Sequence, residues 1–199
     1  MKKNTFAMLA VLASSALASS AAGAKDLTGW FVNAGAGRAN YHATVDQYDI
    51  GSDHGNAGII NFGYRTQFIG FEAGYTNLGS LTASEPGVYR DKLSGDGWTA
   101  GINGHFNLNP QWYLSARAGL FLWKLHATET DYFNGTSQTY KGSTQSTDGY
   151  AGVGVGYDVN RNWSVGAAFD YYRISKRADE LGKLEIGNRV FSVNAEYRF

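Results

Sequence analysis

The chain has 199 residues, 17 basic and 17 acidic, with 15% aromatic residues, 26 glycines and no cysteine. A net charge of zero offers no field for nucleic acid, and the missing cysteines exclude a disulfide framework and any thiolate metal site. Beyond the amino terminus no apolar run is long enough for a spanning helix, so a membrane could be crossed only by a closed β-barrel.

Lys2 and Lys3 precede an apolar run from Phe6 to Ala18, and Ala22-Gly23-Ala24 follows. This basic, apolar, small-residue order predicts a signal peptide over residues 1–24, cleaved before Lys25. The apolar run has 13 residues, where a spanning helix needs about 20. Residues 25–199 then form one domain, with 15 basic against 17 acidic residues and a net charge near −2 once Lys2 and Lys3 are lost.

Period-two alternation marks eight strands. The first runs near Trp30–Tyr41, with Trp30, Val32, Ala34 and Ala36 on one face. The second, Gly58–Thr66, sets Ile60, Phe62 and Tyr64 against Asn61, Gly63 and Arg65. The third, Phe68–Asn77, sets Ile69, Phe71, Ala73 and Tyr75 against Gly70, Glu72, Gly74 and Thr76. The fourth spans Gly97–Leu108 and the fifth Trp112–Leu125, joined at Asn109-Pro110-Gln111. The sixth, Gly149–Asp158, alternates glycine with Ala151, Val153, Val155 and Tyr157. After Asn160-Arg161-Asn162 the seventh covers Trp163–Arg173, and Phe191–Phe199 is the eighth.

Connections alternate between a few residues and polar stretches of about 14 to 23, the spacing of outer-membrane barrels. Large apolar side chains share one face, while glycine and polar groups share the other. A small barrel has interior room for little more than side chains. The expected fold is therefore an all-β, eight-stranded, antiparallel up-and-down barrel turned inside out, with its apolar face on lipid. Aromatic rings settle at headgroup level because they are apolar with a polar handle. Trp112, Trp163, Tyr157, Tyr197 and Phe199 fall at the short-turn ends of their strands, and Trp30, Trp98, Tyr75 and Tyr171 are placed toward the other rim.

Three segments carry a family resemblance: Trp112–Lys124, Tyr150–Tyr157 and Asn194–Phe199, with Gly70–Tyr75 beside them. They resemble the transmembrane domain of OmpA and its relatives among small eight-stranded outer-membrane barrels. The resemblance implies a barrel plugged by an internal ion-pair network, in which Glu72 and Arg117 match the inward acid and base. Asn103, Gly156 and Ala168 stand where the family pattern has a lysine, an acid and an arginine. With no chain after Phe199, the peptidoglycan-binding domain of full-length OmpA is not expected, and OmpX-like single-domain surface barrels are the nearer comparison.

Arg65, Glu72, Arg117, Asp170, Glu196 and Arg198 all point inward, and charges there are tolerated only when paired. His42, His54, His105 and His126 lack a ligand spacing, and Asp46, Asp49 and Asp53 read as a solvated acidic loop, so neither metal nor cofactor is expected. Ser115 and His105 lack a third partner, which argues against an enzyme. The expected role is structural or adhesin-like, carried by the long loops, with a small porin passing ions or small solutes as the alternative and a lipid-modifying outer-membrane enzyme ranked below it. The expected partners are outer-membrane lipids and lipopolysaccharide, the outer-membrane assembly machinery and a surface ligand at the loops; the chain is expected to be a monomer. Tyr197 and the terminal Phe199 resemble the aromatic signal read by that machinery. Phe199→Ala should lower the outer-membrane level several-fold, measured by fractionation and immunoblot, while the refolded barrel keeps its stability. An unchanged level would leave Phe199 a simple rim anchor.

Overall fold

A computed structural model of the protein describes residues 28–45, 48–85, 89–133, 136–178 and 182–199; the segment read as a signal peptide lies outside them. The strands are β1 (Gly29–Val45), β2 (Tyr48–Arg65), β3 (Ile69–Glu85), β4 (Tyr89–Asn107), β5 (Trp112–Phe133), β6 (Thr136–Asp158), β7 (Trp163–Ala178) and β8 (Gly182–Arg198). Each pairs antiparallel with its sequence neighbours, and β1 pairs with β8 to close the barrel. Directly opposed residues run from Trp30 through Tyr64, Phe71, Ile102, Ala118, Ala151, Tyr171 and Arg189 back to β1 at Asn40. This stagger from residue 30 to residue 40, shared over eight strands, tilts the strands by roughly 40° at ~3.3 Å per residue and ~4.8 Å between strands. Ten residues at that tilt rise roughly 25 Å, the height of a barrel's apolar band.

Two of the short connections are built by one device. The Asn109 side-chain oxygen accepts from the backbone N–H groups of Gln111 (2.9 Å) and Trp112 (2.8 Å). Asn160 does the same for Asn162 (2.8 Å) and Trp163 (2.8 Å). An asparagine two or three residues before a strand thus replaces a backbone turn with its own side chain, and each time the strand opens on a girdle tryptophan.

At the opposite end the structure departs from the expected loops of 14 to 23 residues. β1 and β2 stay paired as far as Val45 opposite Tyr48, β3 and β4 to Glu85 opposite Tyr89, β5 and β6 to Phe133 opposite Thr136, and β7 and β8 to Ala178 opposite Gly182. The β2–β3 ladder stops at Gly58 opposite Asn77, and the β6–β7 ladder at Tyr150 opposite Tyr172. Above the barrel therefore stand two four-stranded walls, β7-β8-β1-β2 and β3-β4-β5-β6. The strands continue because ladder bonds do not depend on side-chain polarity, and threonine and tyrosine suit a pleated surface. With polar residues on both faces, the alternation that betrays a strand is lost.

The break between β2 and β3 coincides with an irregularity. The register shifts between Asn77 and Gly79, leaving Leu78 as an extra, buried residue. Gly79 follows at φ 89°, a left-handed conformation that glycine takes without penalty, and its N–H donates to Asn77 Oδ1 (2.7 Å).

Exposure confirms the inversion. Phe71 is 74% exposed and Val193 68%, whereas Asp170 is 0% and Glu196 5%. Trp30 stacks on Phe62 at 5.1 Å and packs edge-on to Tyr64 at 5.3 Å. It lies at the short-turn rim, not the opposite one, because β1 enters the barrel from that side, as its partner Tyr64 one residue from the β2 end shows. Trp112 pairs with Tyr157 (5.4 Å) and Trp163 with Tyr197 (5.0 Å) at the same rim. Tyr75 and Trp98 pack at 5.3 Å toward the other.

The interior is not uniformly polar. Its half nearer the walls is filled by Ala39, Tyr41, Ile59, Leu78, Phe121, Trp123, Leu125, Tyr150, Tyr172, Ile174, Ile186 and Val190, all buried. Phe121, Trp123 and Leu125 continue the parity of inward Arg117 on β5. Trp123 is 1% exposed, and its indole N–H donates to Asp148 Oδ2 (2.8 Å). Trp123→Ala should cost about 3–5 kcal/mol of unfolding free energy, read by urea titration of the refolded barrel in detergent micelles.

Candidate functional site

Below the apolar plug, the polar interior forms two linked clusters. In the one nearer mid-barrel, Arg117 from β5 reaches Asp170 on β7 through two parallel bonds, Nε–Oδ1 and Nη2–Oδ2, each 2.7 Å. Its Nη1 lies 3.8 Å from Glu72 Oε1 on β3, and Nη2 donates to the Tyr172 hydroxyl at 3.1 Å. Glu72 also accepts from the Tyr150 hydroxyl (2.9 Å). Asn61, with its amide oxygen turned to the guanidinium, accepts from Arg117 Nη1 at 2.7 Å. One cation thus ties β2, β3 and β7 to β5 across the lumen.

The second cluster lies toward the short-turn rim. Arg65 on β2 donates to both oxygens of Glu196 on β8 (2.8 and 3.1 Å) and through Nε to Asn103 Oδ1 on β4 (2.7 Å). Its guanidinium stacks over the Phe31 ring at 4.3 Å. Arg198, also on β8, meets Asp158 Oδ1 at 2.5 Å, Glu196 Oε1 at 3.2 Å, and Ser164. Asp158 further accepts from Ser164 Oγ (2.7 Å) and Asn107 Nδ2 (3.0 Å). His105 Nε2 stands 3.4 Å from Asp158 Oδ2, and its ring stacks on Tyr113 at 3.8 Å.

The six charges singled out from sequence all lie inside, three in each cluster. Sequence reasoning missed Asp158 as the main acceptor of the lower cluster, although it shares the parity of Gly152, Gly154 and Gly156. It also missed Asn61, Asn103, Tyr150 and Tyr172 as bonding partners. Those inward glycines make room: a Cβ at Gly152 would collide with the Asp170 carboxylate, at Gly154 with Ser115 Oγ, and at Gly156 with the Tyr113 ring. Between the clusters is a polar cavity of about 60 Å³, bordered by Asn33, Asn61, Arg65, Arg117, Asp170 and Glu196 among others. It has room for a few water molecules. Among the described residues no group of three or more histidine and acidic side chains could hold a metal ion. His105 faces Ser115 across β4–β5, and its Nε2 stands near Asp158, which accepts from Ser164 Oγ.

Comparison with known proteins agrees with this architecture. The family model described as an outer membrane protein beta-barrel domain matches residues 6–199. No curated protein matches the chain. Among solved structures, the chain is similar to Ail, the attachment invasion locus protein of Yersinia pestis, crystallised with the heparin analogue sucrose octasulfate. That match has 17% identity and a TM-score of 0.55, covering 86% of this chain and 99% of that one. It is similar to Neisserial surface protein A at 22% identity and a TM-score of 0.55, covering 86% and 98%. It is also similar to the outer-membrane protease OmpT of Escherichia coli at 10% identity and a TM-score of 0.50, covering 86% and 97%. At such identities the shared property is the fold.

Removing one partner of a buried pair strands the other charge, at about 3–5 kcal/mol. Arg117→Met should therefore destabilise the barrel by that amount. Arg117→Met combined with Asp170→Leu should recover part of the loss, because the double variant no longer buries Asp170 unpaired. Equilibrium unfolding in detergent micelles, run as a double-mutant cycle, measures both.

Proposed function

Because the chain belongs to the outer membrane protein beta-barrel family, we propose that it is a non-enzymatic surface protein whose two walls are contact surfaces and whose barrel is a closed anchor. The observation that carries this reading is the extension of all eight strands past the apolar band. β6 runs from Thr136 to Asp158, yet pairs with β7 only from Tyr150 onward. Its outer part thus has an edge outside the β6–β7 ladder, where Gln145 O accepts from Lys176 Nζ (3.4 Å), and this edge can receive an extended strand of a partner. The edge is held partly in place by the Asp148 side chain, which accepts from Ser175 N (2.8 Å) and Ser175 Oγ (2.6 Å).

The closed lumen supports the same reading over that of a small porin. The polar cavity is about 60 Å³, and the half of the interior nearer the walls is packed with buried apolar side chains. The enzyme reading would need a third partner for His105 and Ser115, which face each other across β4–β5, and His105 stands 3.4 Å from Asp158, a carboxylate already engaged by Arg198 and Ser164. The attachment role in the name of the Yersinia pestis neighbour is that protein's own, and for this chain it is one form the surface reading can take.

Excising residues 127–142 removes an in-register segment, since Ala127 pairs with Gly142, and leaves the Trp123–Asp148 bond above the barrel. Bacteria expressing this variant at normal surface level should lose most of the adherence to host epithelial monolayers that the full chain confers. Undiminished adherence would remove the β5–β6 wall from the proposed role.

A further inference from the structure

The two rims of the barrel differ in charge. At the short-turn rim the outward side chains are aromatic, from Trp30 and Tyr64 to Trp163 and Tyr197. About ten residues further along the strands, the outward positions carry Arg38 on β1, Lys124 on β5, Arg173 on β7 and Arg189 on β8, all exposed. One of these cations meets a protein carboxylate, Arg173 bonding to Glu185 at 2.6 Å, and Lys124 stands opposite Asp96 in the β4–β5 ladder.

Arg38 and Arg189 have no such partner among the described residues. Arg38 is flanked by Asn56 on β2 and Phe191 on β8, and Arg189 by Asn40 on β1 and Tyr171 on β7. Since Arg38 opposes Phe191 and Asn40 opposes Arg189, the two arginines are diagonal neighbours, with backbones about 7–8 Å apart. Two guanidinium groups at that spacing can close on one phosphate, whose oxygens their planar forks match. Directly below lie exposed Ala36, Phe191 and Val193, with Phe169 packed on Phe191 at 4.7 Å. The neighbourhood is thus cationic at headgroup level and apolar beneath, with the Asn40 amide and the Tyr171 hydroxyl beside the charges. Its complement is an anionic headgroup carried on acyl chains.

We propose that Arg38 and Arg189 form a phosphate site for lipid A of the outer leaflet, and that the site exists only once β1 has paired with β8. Neither strand alone carries two free cations at this height. Closure of the barrel brings them together, so a lipid held there bridges the first and last strands.

The test uses the mature barrel in phosphatidylcholine nanodiscs, titrated with diphosphorylated lipid A and followed by native mass spectrometry. R38A/R189A should weaken binding at least tenfold, whereas K124A should change it less than twofold, and R38K/R189K, which keeps the charges but not the planar forks, should fall between the two. Lipid A stripped of its phosphates should bind the unaltered protein no better than intact lipid A binds R38A/R189A. The proposal is overturned if R38A/R189A binds like the unaltered protein, if K124A loses as much, or if phosphatidylglycerol binds as tightly as lipid A. Inorganic phosphate that competes fully at millimolar concentration would also overturn it, since the acyl chains would then contribute nothing. Heat-modifiable migration on gels establishes that each variant is folded before titration.

Discussion

Every backbone N–H and C=O inside a hydrocarbon layer must find a partner within the protein, and everything else here follows from that demand. Eight strands satisfy it only when β1 reaches β8, and the register of that last pairing fixes the stagger, the tilt and the width of the tube. The inward charges serve the same closure. Glu196 and Arg198, near the end of β8, reach across the lumen to Arg65 on β2 and Asp158 on β6. The last strand is therefore held by its ladders on both edges and by charge-assisted bonds through the middle.

The interior combines two solutions to the problem of filling a narrow tube. Toward the short-turn rim, bulky charged and aromatic groups from one strand fit over glycines on the next, as Tyr113 does over Gly156. Toward the walls, the same inward positions carry aromatic and branched apolar groups that exclude water. The polar clusters resist disruption because each buried charge has several partners. Burial beside the apolar plug lowers the local dielectric, in which such pairings are strong.

Much of this was legible in the sequence because a half-buried strand writes its faces into alternate letters. Phe71 against Glu72, or Tyr197 against Glu196 and Arg198, gives both strand and face without reference to a partner. The walls were illegible for the complementary reason: residues 137–147 are exposed on both faces almost throughout, so no alternation survives, although the ladder continues. Trp30 was assigned to the wrong rim because alternation gives the face of a residue but not its height. Height depends on which way each strand runs, and for β1 on the end from which it enters. The apolar plug was written in the parity of Phe121, Trp123 and Leu125, yet size and polarity alone assign such residues to lipid. The pairs Arg117–Asp170 and Arg65–Glu196 could be listed as inward charges, but who meets whom depends on the stagger, which no single strand records.

The points where the β2–β3 and β6–β7 ladders stop carry a consequence for how such a protein can change. Each wall is a cantilever rooted in four barrel strands and joined to its counterpart without a backbone ladder, by bonds that each involve a side chain. A residue inserted into one wall shifts no register in the other, and the shift ends at the tip of its own hairpin. Pressure from outside the cell can therefore rewrite one wall at a time, lengthening, shortening or recharging it, while the tube below keeps its dimensions. The chain is in effect one invariant socket bearing two independently exchangeable blades.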